Sequence, residues 1–411
     1  MADTAAHLVD RVIPYVPVRQ WVLSLPYALR YRLAYDASMV TEVLGVFIRE
    51  AFGDLRRRAV DNGIEKAQCG AVTFVQRFGS ALNCNPHFHA LVLDGVYAPK
   101  DSGEPEFFPL RAPDTSDVLK VVESVARGVS SLMKRRGMES SGDGEDSDKL
   151  AREDPWLAGV LGASVTGRLA TGAQAGRCVA TGGDRVDPEE TESLSSERCA
   201  RSSGFSLHAN VSIPRPDWAR LERLIRYMAR PPIATERLER LPDGRVVYEF
   251  KRPWRDGTSR VVFEPLEFIE KLVALVPKPR ANLTRYNGVL APAAKWRPAV
   301  IPAPPPPGAA PEIKPAALAS ISEAPVANIT EAITVPESAA RRPRNYAWAE
   351  LMRRVWEFDV LACECGARLR IISAIHPPEI TRKILDCMGL PSRPPPIAPA
   401  RPEPSLDPTW I

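Results

Sequence analysis

The sequence predicts an α+β chain: antiparallel strands accompanied by amphipathic helices, then a proline-rich linker and a small C-terminal α/β module. Three observations carry this expectation. Two apolar runs, Gly70-Ala-Val-Thr-Phe-Val-Gln-Arg-Phe78 and His87-Phe-His-Ala-Leu-Val-Leu-Asp-Gly-Val96, flank the loop Gly79-Ser-Ala-Leu-Asn-Cys-Asn-Pro86, which is the strand–loop–strand pattern of an antiparallel pair. Several longer segments carry apolar residues at helical period. Proline, at 41 of 411 residues, is abundant and concentrated late in the chain, where it cannot donate to a helix or sheet ladder.

In order along the chain, residues 1–15 read as a short helix without a partner of its own, and 16–290 as the main compact domain. Val18-Arg-Gln-Trp-Val-Leu-Ser-Leu-Pro26 reads as a buried strand ended by proline. One long helix is expected over 27–61, with Val40, Val43, Leu44, Phe47 and Ala51 as its apolar stripe and Arg56-Arg57-Arg58 as a solvated basic end. After the strand pair, a helix covers 115–136, carrying Val118, Leu119, Val122, Val125 and Leu132 on one face.

Residues 137–204 are rich in Ser, Gly, Asp and Glu at both ends and read as a partly disordered insertion. Gly204-Phe-Ser-Leu-His-Ala-Asn-Val-Ser-Ile-Pro214 returns to strand, and 216–230 forms a helix with Trp218, Leu221, Leu224, Ile225 and Met228 inward. A hairpin over 245–263 turns at Lys251-Arg-Pro-Trp-Arg-Asp-Gly257, and a helix follows near 264–276. Residues 291–340 read as an Ala/Pro-rich linker, 341–391 as a small module, and 392–411 as a proline-rich tail.

Composition narrows the function classes. A formal charge of +4 is only mildly basic, so any nucleic-acid affinity must come from local clusters of Lys and Arg. Seven scattered cysteines exclude a secreted disulfide framework and suit a reducing cytosol. No apolar run reaches membrane-spanning length and no signal-peptide pattern opens the chain, so a soluble intracellular protein with no membrane partner is expected.

Two groups of residues carry chemistry. His87 and His89, two of only five histidines, lie two apart on one strand, which turns both to one face and makes half of a metal site. A hydrogen-bonded strand pair is the plainer alternative. His208, on another strand, is the first candidate for a third ligand and Gln76 the second. Tyr227 has Arg223 one turn before it and Arg230 nearly one turn after it, a spacing suited to clamping phosphate oxygens beside a nucleophile. Alone, a half-buried anchor tyrosine with solvated arginines would explain it as well. Lys251, Arg252, Trp254 and Arg255 mix cations with an aromatic ring in the hairpin turn, which suits single-stranded nucleic acid. Cys363-Glu-Cys365 is narrower than the spacing of structural zinc, and with Cys387 and His376 it is read as no metal site.

With these residues placed, the chain resembles the rolling-circle insertion-sequence transposases of the HUH endonuclease class. The matching words are Val18-Arg-Gln-Trp-Val-Leu-Ser-Leu-Pro26, Gln76-Arg-Phe-Gly, His87-Phe-His-Ala-Leu-Val-Leu-Asp-Gly95, Gly204-Phe-Ser-Leu-His-Ala-Asn, Arg226-Tyr-Met-Ala-Arg-Pro-Pro232, Leu241-Pro-Asp-Gly, Lys251-Arg-Pro-Trp-Arg-Asp-Gly257 and Arg344-Asn-Tyr-Ala-Trp-Ala-Glu350. The resemblance implies an antiparallel sheet flanked by helices, with the histidines on a central strand and the tyrosine on a helix crossing nearby. It implies that His87 and His89 hold a divalent metal, Mg²⁺ or Mn²⁺, against the scissile phosphodiester of single-stranded DNA.

In that scheme Tyr227 attacks phosphorus and forms a 5′-phosphotyrosyl link, later reversed by a 3′-hydroxyl, with no nucleotide cofactor. The implied partners are single-stranded DNA at element ends and target DNA, in the bacterial cytoplasm at the nucleoid. Where some relatives carry two tyrosines, the position one turn before Tyr227 is Arg223, so a single-tyrosine version is expected. The family's cysteine-rich N-terminal zinc region is not expected here, since no cysteine precedes Cys69. The alternatives are an HUH replication initiator or relaxase, and a DNA-binding remnant without catalysis.

Overall fold

The computed structural model describes residues 1–138, 148–179, 197–214, 217–251, 253, 257–302, 346–371, 375, 377–390 and 392. From the N-terminus the chain runs α1 (Ala2–Arg11), β1 (Val18–Ser24), α2 (Tyr27–Tyr35), α3 (Ala37–Asp61), β2 (Gly70–Phe78), β3 (Cys84–Leu93), β4 (Gly95–Pro99) and β5 (Pro105–Pro109). It continues with α4 (Thr115–Arg135), α5 (Lys149–Glu153), α6 (Pro155–Val165), β6 (Cys199–Ser202), β7 (Phe205–His208), β8 (Ser212–Ile213) and α7 (Trp218–Met228). Next come β9 (Leu238–Arg240), β10 (Val246–Glu249), β11 (Arg260–Phe263), α8 (Pro265–Leu275), β12 (Thr284–Gly288), α9 (Arg297–Val300), α10 (Trp348–Trp356) and α11 (Pro378–Cys387).

A seven-stranded antiparallel sheet in the order β12-β2-β3-β1-β7-β6, with β8 also paired to β1, puts β3 and β1 at its centre. Strand alternation divides its side chains cleanly between two cores. Trp21, Leu23, Val75, Phe88, Ala90, Val92 and Leu207 face the long helices α3 and α4. Val18, Val72, Phe74, Leu91 and Leu93 face α1 and α7. Leu221, Ile225 and Met228 bury the inner stripe of α7 on that second face. Each contributes roughly 1.5–3 kcal/mol of burial, so this stripe, rather than the exposed charges of α7, holds the helix on the sheet. A third core joins α6, α8 and the small sheet β11-β10-β9 to the end of β3, through Leu82, Cys84, Leu161, Tyr248, Phe263 and Leu275.

Several expectations change. The helix expected over 27–61 is two helices, because Asp36 leaves helical conformation and its side chain caps α3 by accepting from the Met39 N–H at 2.9 Å. Arg58 is not solvated. It is 1% exposed and donates from Nε to Asp54 at 2.8 Å, while Arg56 and Arg57 stay outside. The N-terminal helix is not partnerless either, since Leu8, Val9 and Val12 share a core with α7. Within 137–204, α6 packs in the third core and β6 is an edge strand of the main sheet. Residues 139–147 and 180–196 of that stretch lie outside the described residues, as do 303–340 of the expected linker, 341–345 of the expected module and 393–411 of the tail. Residues 291–302 are described, and Val300 of α9 is buried beside Leu290. No helix among the described residues is long and apolar enough to cross a membrane.

Two polar devices lock the sheet. Arg77, at a register shift in β2, donates to the carbonyl of Ala34 at 2.8 Å and to that of Leu275 at 3.4 Å, tying the last turns of α2 and α8 to the strand. Arg19 on β1 donates to both oxygens of Asp94, at 3.1 and 2.7 Å, and to the Ala209 carbonyl at 3.0 Å. This clamp joins β1 to the ends of β3 and β7, and its two side chains are 6% and 11% exposed. Replacing Arg19 by Leu leaves a buried carboxylate without its cation. Urea unfolding of Arg19→Leu is expected to show a loss of roughly 3–5 kcal/mol, with less than about 1 kcal/mol lost when an exposed pair such as Lys100–Glu106 is broken.

Candidate active site

Antiparallel register aligns the polar side chains of the α7-facing side in two rows. In one, Gln76 on β2 lies opposite His87 on β3, which lies opposite Ser24 on β1. In the next, Phe74, His89, Val22 and His208 follow one another across β2, β3, β1 and β7. Directly opposed side chains in such rows are about 5 Å apart at Cβ. His87 and His89 therefore share a face, with ring centroids 4.9 Å apart.

Each imidazole has one nitrogen occupied. His87 Nδ1 lies 2.7 Å from the Asn85 carbonyl oxygen, which can only accept, so Nδ1 carries the proton and, in the neutral ring, Nε2 carries the lone pair. His89 Nδ1 lies 2.8 Å from the side-chain amide of Gln20. A half-turn of that amide lets its oxygen accept Nδ1–H, which puts the lone pair of the neutral ring on Nε2. Burial first, then electrostatic repulsion from neighbouring His87, Arg230 and His208, holds the His89 imidazole well below its ordinary 6.5. Burial also lowers His208. The neutral form is the one that binds a metal.

The two candidates for a third donor lie at different places on the sheet. His208 is two strands from His89, roughly 10 Å across the sheet, with Val22 between them. Among the described residues no three His, Cys, Asp or Glu side chains gather closely enough to hold an ion. Gln76 sits in the row of His87 and is 4% exposed. Its Nε2 donates to the Met228 carbonyl at 2.8 Å, which fixes the amide, and its buried Oε1 has no hydrogen-bond partner among the described residues. An orphaned amide oxygen beside two imidazoles is the donor set a hard-to-borderline divalent ion accepts.

The same Met228 bond ties the end of α7 to β2, and α7 carries Tyr227. The Tyr227 ring lies 6.3 Å from the His89 ring, nearly perpendicular to it. The Arg230 guanidinium carbon is 4.3 Å from the tyrosine centroid, and Lys251 Nζ is 5.3 Å from it. Arg230 also lies 5.7 Å from the Phe78 ring, so it bridges α7 and the end of β2. Arg223 is exposed one turn earlier on α7; Arg230, rather than Arg223, is the arginine against the ring. Of the hairpin-turn residues, Lys251 reaches the tyrosine, and Arg252, Trp254 and Arg255 lie outside the described residues. A cavity of about 530 Å³ shares Gln76 and Arg230 as wall residues and is otherwise lined largely by apolar side chains such as Phe78 and Leu275.

Gln20 was not singled out by sequence reasoning. The available signal was a polar residue at the alternating position of a strand whose other face is Trp21 and Leu23. Cys363 and Cys365 lie with sulfurs 3.1 Å apart on a tight turn, Cys387 is exposed on α11, and His376 is outside the described residues.

Residues 70–297 match the family Y2_Tnp, described as "Putative transposase". No curated protein and no solved structure matches the chain.

The depressed His89 has a consequence for stability. The unfolded chain binds a proton near pH 6.5 that the folded chain refuses, so this contribution is complete above that pH and is lost as pH falls below it. Urea unfolding between pH 7.5 and 5 is expected to show stability declining with acid. In His89→Gln the decline should be shallower by up to about 1.4 kcal/mol per pH unit.

Proposed function

The chain belongs to the Y2_Tnp transposase family, and from that premise we propose that it nicks and rejoins single-stranded DNA by the HUH mechanism, with Tyr227 as nucleophile and His87, His89 and Gln76 as metal ligands. The observation that carries this is the meeting of β3 and α7: two histidines on one face, an orphaned glutamine oxygen and a cation-flanked tyrosine within one small volume.

Each residue has a part. The Tyr227 hydroxyl attacks phosphorus, the bond from phosphorus to the 3′-oxygen breaks, and that oxygen leaves as a hydroxyl after taking a proton. The tyrosine becomes esterified to the 5′-phosphate. Attack by a 3′-hydroxyl, the original one or one on target DNA, reverses the step, so phosphodiester energy is conserved and no nucleotide cofactor is required. Arg230 and Lys251 place positive charge where negative charge develops on the phenolic and phosphate oxygens. Gln76 both pins α7 through Met228 and offers Oε1 to the ion. Gln20 and the Asn85 carbonyl orient the two imidazoles. Mg²⁺ or Mn²⁺ bound there supplies Lewis-acid polarisation of the scissile phosphate. His208, at the far side of Val22, is proposed to lie outside the ion's shell. The cavity walled by Gln76 and Arg230 gives a nucleotide room next to those two residues. Arg223, and Arg252, Trp254 and Arg255 in the hairpin turn, extend the cationic surface proposed to follow the strand.

Incubation with a labelled single-stranded oligonucleotide from a cognate element end should give a denaturation-resistant protein–DNA adduct. It should vanish in Tyr227→Phe, in His87→Ala and on adding chelator, and return when Mn²⁺ is restored. Gln20→Leu should raise the metal concentration needed by about 10- to 100-fold. An adduct that survives Tyr227→Phe would assign the nucleophile elsewhere, and binding without an adduct would leave a DNA-binding remnant.

A further inference from the structure

The segment Tyr346–Trp356, far along the chain from everything it touches, closes on the helix that carries Tyr227. Arg354 on α10 donates from Nη1 and Nη2 to the two carboxylate oxygens of Asp10 on α1, both at 2.7 Å. Its Nε donates to Glu222 Oε2 on α7. Glu222 is 7% exposed, and its other oxygen accepts from Arg226 at 3.2 Å. Tyr346 adds a hydroxyl bond to Asp10 at 2.7 Å and a backbone N–H bond to Asp3 at 3.1 Å. The Arg11 and Arg354 guanidinium carbons each lie 5.8 Å from the Tyr346 ring.

One guanidinium thus spends its planar fork on one helix and its remaining N–H on another. Lysine cannot copy this, because an ammonium is a point charge without the fork. The arrangement also makes α1 and α7 depend on Arg354. Asp10 and Glu222 are two carboxylates converging on one cation, and without it they repel across the α1–α7 interface. Burial opposes ionised Asp10, yet the bonds from Arg354 and Tyr346 outweigh it and keep that carboxyl below its ordinary range. Glu222 lies five residues before Tyr227, about 140° round the helix from it, so the contact grips α7 from the side and leaves the tyrosine face open.

We infer that Arg354 is a positioning residue: through Asp10 and Glu222 the C-terminal segment straps α7 to α1 and holds Tyr227 at attack distance from the histidine pair. This rests on the proposed nucleophilic role of Tyr227, but the strap itself is tested without it. Hydrogen–deuterium exchange of the full chain reads the strap directly. In Arg354→Ala, amides of 218–228 are expected to exchange about tenfold faster or more, with β1 and β3 unchanged. Unchanged exchange in α7, or an even rise over the whole sheet, would overturn the strap. Adduct formation reads the positioning. At saturating single-stranded DNA the rate should fall by on the order of 100-fold while affinity for the DNA stays within about twofold. Arg354→Lys should recover little of it. Adding Asp10→Asn to Arg354→Ala, which removes the repulsion, should restore part of the α7 protection. An unchanged adduct rate alongside a loosened α7 would refute the positioning role. If the wild-type chain forms no adduct, the nucleophilic reading fails, and exchange still decides whether the strap exists.

Discussion

Everything at the candidate site depends on strand register. His87 and His89 project toward α7 because β3 pairs with β1 and β2 so that Phe88, Ala90 and Val92 project toward α3 and α4. A slip of one residue would bury both imidazoles in the aliphatic core and turn Phe88 to the site. The core therefore enforces the site. Phe88, fully buried and stacked on Phe47 at 6.5 Å, sits between the two histidines and would lose that burial in a slipped register. The Arg19–Asp94 clamp works to the same end by fixing β1 against the end of β3.

The second constraint is the seating of α7. Its apolar stripe sets the distance from the sheet, and the Gln76–Met228 bond sets where along β2 the helix ends. That bond has two effects at once. It satisfies a last-turn carbonyl that would otherwise lack a partner, and it turns the glutamine oxygen away from the helix. Arg77, the next residue, projects to the opposite side and bonds the ends of α2 and α8. Consecutive residues of one strand thus anchor elements on both faces, where the register shift after Gln76 breaks the ladder.

The family match covers the stretch from β2 to α9, which contains both histidines and the tyrosine. β1 lies before it, yet it is the central strand that separates His89 from His208 and supplies Gln20. The strap from α10 lies after it. The transposase family resemblance and the site's surroundings therefore draw on different parts of the chain.

Period-2 alternation was enough to put His87 and His89 on one face, and period-3.6 stripes were enough to place α4, α7 and α8 within a few residues, since both signals come from local geometry. The tyrosine with its following arginine was legible for the same reason, on one helix. Sequence alone did not reveal the cap at Asp36, the buried Arg58 or the edge strand β6, because Arg58 and β6 find partners distant in sequence, the Arg111 carbonyl and β7, and the cap is a carboxylate competing for the backbone. The two candidates for a third donor show the limit most clearly. His208 is chemically the better ligand on paper, but strand order places Val22 between it and His89, while Gln76 falls opposite His87. Residue type and local spacing decide what a side chain can do; which strands become neighbours, and so which donors meet, is decided only when the non-local pairs of the sheet close.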